Sequence, residues 1–199
     1  SFPTKANDAD ELGLTWLGVL LHNTIPEAKA AAERDIPLIA IGHSFGSRAS
    51  ITAACVGPVI HDATGPRAGE LPIPLHDIDH LINLQGAFLT QQLLEPGANK
   101  LYFPNNCSHV KNLVITSSNK DSANSLPSYL PGWGYYAGDD RSHQKYCGAG
   151  GKGKAIQCVT AKADGCVDLP AFQSNVLLVN ADQLITENAY GSGGGAHSD

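Results

Sequence analysis

The stretch Ile36–Ser50, IPLIAIGHSFGSRAS, changes character twice within fifteen residues. Ile36 to Ile41 is an unbroken apolar run. Gly42-His43-Ser44-Phe45-Gly46 follows, and mostly small and apolar residues, with Arg48 among them, then continue from Ser47 to Val56, where Gly57-Pro58 ends them. A run that is apolar at every position, rather than at every second one, suits a strand buried on both faces of a parallel sheet. The Ala-rich stretch after it suits a helix. The intervening Gly-x-Ser-x-Gly is the pattern of a sharp strand-to-helix turn. Such a turn crowds the backbone, so small residues must flank the serine, and it lifts the hydroxyl clear of the sheet.

Three further apolar runs lie downstream: Leu81 to Leu84, Leu113 to Ile115 with Thr116, and Val176 to Val179. Each is followed by small or polar residues, as at the carboxyl end of a buried parallel strand. Upstream, Asp10 to Leu21 carries apolar residues at helical spacing. A second helix is expected from Thr24 to about Arg34, because Thr24 and Glu27 have the spacing of a capping box. Alternating helices and strands predict an α/β layer fold. Residues 122–174 break the rhythm with Pro127, Pro131, the Gly148 to Gly153 cluster and three cysteines, and are expected to form an irregular excursion beside the sheet. Gly191 to Gly195 follows the last run.

The 199 residues are enough for one domain with a sizeable core. A net charge of −6 argues against a nucleic-acid partner. No apolar run has the length of a membrane span. Of the five cysteines, Cys55 lies in the apolar helical stretch and is expected to be a free, buried thiol. At least one disulfide is expected among Cys107, Cys147, Cys158 and Cys166, which favours an extracytoplasmic setting. No C-x-x-C pair occurs, so no metal centre is predicted from the cysteines. The tract His76-Asp77-Ile78-Asp79-His80 has the composition of a metal ligand set, although a polar loop entering the strand at Leu81 accounts for it more simply.

IPLIAIGHSFGSRAS resembles the strand–elbow–helix unit of the α/β-hydrolase family. HLINLQGAF (His80–Phe88), NLVITSSNKDSA (Asn112–Ala123) and VLLVNADQLI with GGGAHSD (Val176–Ile185 and Gly193–Asp199) resemble its later strands and active-site loops. The resemblance implies a mostly parallel sheet flanked by helices, comprising the second half of that fold from the nucleophile strand onward. It also implies a serine hydrolase with the triad order Ser, Asp or Glu, His. Ser44 is then the nucleophile, Asp121 the acid and His197 the base, while the Phe45 N–H donates to the oxyanion. His43, the variable residue of the elbow, and Gln85 and Gly86, at the end of the next strand, are candidates for substrate contact.

Rival acids are Asp139, Asp140, Asp164, Asp168 and Asp182. The expected substrate is a small or lipid-like acyl compound, and no cofactor is implied. Only 43 residues precede Ser44, and none before Ile36 shows a strand pattern. The strands and loop that supply the family's second oxyanion donor are therefore expected to lie outside this sequence, leaving an exposed sheet edge capable of self-association. Two other readings fit the same residues: a non-catalytic module with an incomplete oxyanion hole, and a metal-binding protein built on His76–His80 and the cysteines.

Overall fold

The computed structural model describes residues 2–33, 35–59, 74–95, 107–124, 134–148, 156–168 and 174–185. Five strands form one all-parallel sheet: β1 (Ile39–His43), β2 (Ile78–Leu84), β3 (Val110–Ser117), β4 (Ile156–Thr160) and β5 (Val176–Asn180), in the order β1-β2-β3-β5-β4. The register runs straight across. Gly42 lies beside Asn83, Asn83 beside Ile115, Ile115 beside Leu178, and Leu178 beside Cys158. All five carboxyl ends therefore share one edge, where ligand sites of parallel sheets collect.

The N-terminal segment is helical further upstream than its apolar spacing predicts. It comprises α1 (Phe2–Leu12), π-helical turns at Gly13–Leu17 and Leu20–Thr24, and α2 (Ile25–Ala31). Thr15, at φ −116° and ψ −105°, marks a kink inside the first π-helical turn. Gly13 is required beside it: a Cβ there would meet the Ala49 carbonyl oxygen at 2.6 Å and Thr52 Cβ at 2.8 Å. Two helices approach closely at that point. The capping box is not formed. Thr24 is itself helical and makes no side-chain cap, because the helical turn before it supplies carbonyls where a true N-terminus would leave orphan N–H groups.

Helix α3 (Phe45–Val56) follows β1 directly and stops at Gly57, whose φ of +78° favours glycine. Its buried Ile51, Ala53, Ala54 and Cys55 pack with Leu81, Leu113, Ile115 and Leu178 of the sheet and with Phe88. Helix α4 (Gln91–Leu94) is a single turn after β2. Helix α5 (Asp140–Cys147) begins at Asp139, whose carboxylate caps it by accepting from the Arg141 N–H. Tyr146 and Cys147 near its end pack against the same core.

Within residues 122–174, the structure thus contains a helix and a fifth strand, β4. That strand carries little apolar signal because it is an edge, only half buried.

The opposite face of the sheet is covered differently. Leu177 and Val179 pack there with Val114, Val159, Ala161 and Val167. Among the described residues that cover does not reach β1: Ile39 and Ile41 are 52% and 65% exposed, so β1 is not the strand buried on both faces that its run predicts.

Two disulfides are present, Cys55–Cys107 and Cys147–Cys158, with Cys166 free and exposed. The second lies within the expected group. Cys55 is not the free thiol its apolar surroundings suggested: the last turn of α3 faces the start of β3, where Cys107 sits equally buried. Two disulfides are consistent with an extracytoplasmic setting. No helix among the described residues is long and apolar enough to cross a membrane.

The His76–Asp77–Ile78–Asp79–His80 tract does not form a cluster. Strand β2 begins at Ile78, so Asp79 and His80 point to opposite faces. Asp79 binds the Lys111 ammonium at 2.9 Å and accepts from the Leu38 N–H at 2.7 Å, tying the entrance of β1 to the sheet. These two bonds, Lys111's first, hold its carboxyl below the usual carboxylate range. The His76 N–H donates to buried His22.

Candidate active site

Ser44 occupies the turn between β1 and α3 at φ +54° and ψ −121°. This is the conformation of the first central residue in a type II′ turn, which non-glycine residues avoid. The surrounding structure locks it in place. Its N–H donates to the Leu84 carbonyl at 3.1 Å, and its own carbonyl accepts from the Ala87 N–H at 3.0 Å and the Arg48 N–H at 3.3 Å. The Ser47 hydroxyl reaches back to the Gly42 carbonyl at 2.7 Å, closing the turn.

The flanking glycines have different reasons. At Gly42 a Cβ would meet Ser47 Cα and Ser50 Oγ at 2.6 Å each, because the helix folds back onto the strand. At Gly46 a Cβ would meet nothing within 4 Å. Only the first is demanded by contacts within the described residues. Ser44 is half buried, at the N-terminus of a twelve-residue helix. The partial positive charge of that terminus favours an anion beside it.

Phe45 is the first residue of α3 and His43 the last of β1, with His43 exposed. Gln85 and Gly86 are buried just past β2. Gln85 has a positive φ of 46°, and its N–H donates to Thr116 Oγ1 at 3.0 Å. Gly86 presses on α3: a Cβ there would meet Ser47 Cβ at 3.2 Å and the Phe88 ring at 2.5 Å. These two residues bridge the serine to the acid.

Asp121 is 1% exposed, four residues past the end of β3. Its Oδ1 accepts from the Asn124 N–H at 3.0 Å and its Oδ2 from Asn124 Nδ2 at 2.7 Å. Asn124 Nδ2 also donates to the Gln85 carbonyl at 2.8 Å. Gly138 completes the packing, since a Cβ there would lie 2.8 Å from Asp121 Oδ2 and 2.3 Å from Asn124 Nδ2.

The sequence reading missed Asn124 and Gly138. The signal for Asn124 was present: Asp121 caps the turn at residues 122–124, with the third residue on donating to its carboxylate. Gly138 lies fourteen residues past that turn and has no local signal.

The rival acids are engaged elsewhere. Asp139 pairs with Arg141 at 2.6 Å, and Asp168 with Lys162 at 2.7 Å. Asp140 accepts from Asn180 and Gln144, Asp164 from the Cys166 N–H, and Asp182 from the Asn119 N–H and Asn180.

The structure brings Ser44, Phe45, Gln85, Gly86 and Asp121 to one edge of the sheet. His197 lies outside the described residues. The strands carrying Ser44 and Asp121 flank β2, so they stand roughly 10 Å apart.

The arrangement therefore defines a parallel α/β sheet with a strained serine at a helix N-terminus and a buried carboxylate two strands away. No family model, curated protein or solved structure matches the chain.

Proposed function

We propose that this protein is a serine hydrolase of the α/β-hydrolase type, cleaving an ester or related acyl bond in a small or lipid-like substrate. The observation that carries the reading is the backbone of Ser44. A non-glycine residue is held at positive φ between the edge strand β1 and the helix that follows it, and strain of this kind collects at functional sites.

In the proposed mechanism, Ser44 Oγ attacks the acyl carbonyl while His197 takes its proton. Asp121 orients the imidazole and stabilises its charged form. The oxyanion forms at the head of α3, where the Phe45 N–H and the helix dipole favour negative charge. The leaving group departs with the proton from His197, and water then cleaves the acyl–Ser44 ester by the same route in reverse. Gln85 and Gly86 line the floor of the site, and His43 contacts the substrate at its rim.

The kinetic test is non-additivity. Ser44→Ala and His197→Ala are each expected to lower turnover of an activated ester by on the order of 10⁶-fold, and the double variant by hardly more. Independent, multiplying losses would reject the triad.

A further inference from the structure

Helix α5 carries His143 and Cys147 one turn apart, at the i and i+4 positions that share a face. Cys158, on the edge strand β4, meets them. One ring nitrogen of His143 and the two sulfur atoms all lie within 4.8 Å of one another. The sulfurs are joined as the Cys147–Cys158 disulfide, with Cα atoms 5.8 Å apart.

His143 is unsettled in this arrangement. Its Nε2 is buried and has no hydrogen-bond partner among the described residues. A buried polar atom without a partner is costly and calls for an explanation. Burial, the largest influence, holds the imidazole's pKa below its usual value, against the pull of Asp140, the Val159 backbone and Asp182. A neutral imidazole carries a lone pair on one ring nitrogen. A disulfide sulfur, a weak acceptor with no proton to donate, offers that lone pair nothing. A cation does.

We propose that reduction of Cys147–Cys158 turns this corner into a binding site for one zinc-like divalent cation, held by His143, Cys147 and Cys158, with a fourth position open to water.

The chemistry balances. A dithiol reductant delivers two electrons and two protons to the disulfide and closes to its own cyclic disulfide. The two thiols then lose two protons to solvent as the cation binds. Two thiolates and a neutral imidazole make an uncharged complex with a divalent ion, which suits a half-buried position. Metal–sulfur bonds of about 2.3 Å in a tetrahedron place the thiolates roughly 3.8 Å apart.

Access favours this disulfide over the other. Cys158 is exposed, whereas Cys55 and Cys107 are each 2% exposed. The site is distinct from the Ser44 cluster and does not depend on the proposed hydrolysis.

Cobalt(II) is the probe. The Cys166→Ser protein, which lacks the one free thiol among the described residues, is reduced with dithiothreitol, desalted without oxygen and titrated with Co²⁺. Mass spectrometry after alkylation should find Cys147 and Cys158 opened and Cys55–Cys107 intact. The reduced protein should bind one Co²⁺, with a thiolate-to-metal charge-transfer band and the visible bands of tetrahedral cobalt. The oxidised protein should show neither. His143→Ala and His143→Gln should each weaken binding at least tenfold, with thiol opening unchanged. A disulfide that resists the dithiol, a reduced protein without the charge-transfer band, or histidine variants that bind like the parent would each overturn the proposal.

Discussion

At the residue scale, the account rests on Ser44 being held where a serine is not comfortable. The φ of +54° is maintained by backbone bonds from both sides, to Leu84 and from Ala87, so the strain is imposed by the frame around the turn. Ser44→Gly should relieve it. Despite glycine's larger unfolded-state entropy, the variant should gain about 1 kcal/mol in urea unfolding while losing all esterase activity. A variant that is destabilised would show that the turn carries no strain. Both oxygens of Asp121 accept from Asn124, so Asp121→Asn also sets an amide NH2 against an Asn124 donor and costs stability as well as the acid. Asp121→Asn should lower turnover by about 10⁴-fold, less than loss of Ser44 or His197. An Asp121→Asn protein with full turnover would move the acid to another loop.

At the element scale, the N-terminal helical segment is fastened to α3 by two polar links, one half buried and one fully buried. Arg48 grips Asp10 with two bonds of 2.8 and 2.6 Å, joined by Thr52 Oγ1 at 3.2 Å. His22 is fully buried, donating from Nε2 to the Ala53 carbonyl at 2.9 Å and accepting the His76 N–H on Nδ1 at 3.0 Å. A carbonyl only accepts and an N–H only donates, so the ring must be the neutral Nε2–H tautomer. Burial is the main cause of its lowered pKa; nearby His76 and His109 also lower it, and the backbone bonds to Ala53 and His76 oppose the shift. Below pH 6.5 the unfolded chain binds a proton that the folded chain refuses. The contribution of His22 is therefore complete above pH 6.5 and declines as pH falls from there towards the folded pKa. Unfolding free energy measured from pH 7.5 to 5 should fall, and His22→Gln should flatten that slope. A wild-type slope unchanged in His22→Gln would assign the effect to another group.

The same elements show what the sequence made legible. Strands β1, β2, β3 and β5 were visible because each carries a cluster of Val, Ile and Leu, although only the inner strands bury it on both faces and β1 does not. Strand β4 was not, since Ile156-Gln157-Cys158-Val159-Thr160 is a half-exposed edge with no strong pattern. The start of α1 was missed because it buries little more than Ala6 and Ala9, too few to set a period. Ser44 and Phe45 were legible through a local motif, and Asp121 through its place after a strand. Asn124 and Gly138 act through contacts across the sheet edge, which spacing along the chain does not encode.

At the scale of the whole molecule, β1 is an outer strand of the described sheet, yet its composition is that of an inner one. Ile39 and Ile41 face water on the outer strand of the described sheet, the combination that draws other chains into pairing. The purified protein should associate as concentration rises, and Ile41→Lys should suppress this, because a charge at the edge resists pairing. Size-exclusion chromatography from micromolar to hundreds of micromolar reads the outcome. A wild type that stays monomeric throughout would show that the edge is covered.

The central claim concerns neither this edge nor the disulfides but the single serine at the head of α3. Its most direct test is to react the protein with a fluorophosphonate, digest it and locate the adduct by mass spectrometry. The account predicts one phosphonate per chain on Ser44, blocked by prior ester analogue and absent from Ser44→Ala. An unlabelled protein, or an adduct on any other residue, would contradict it.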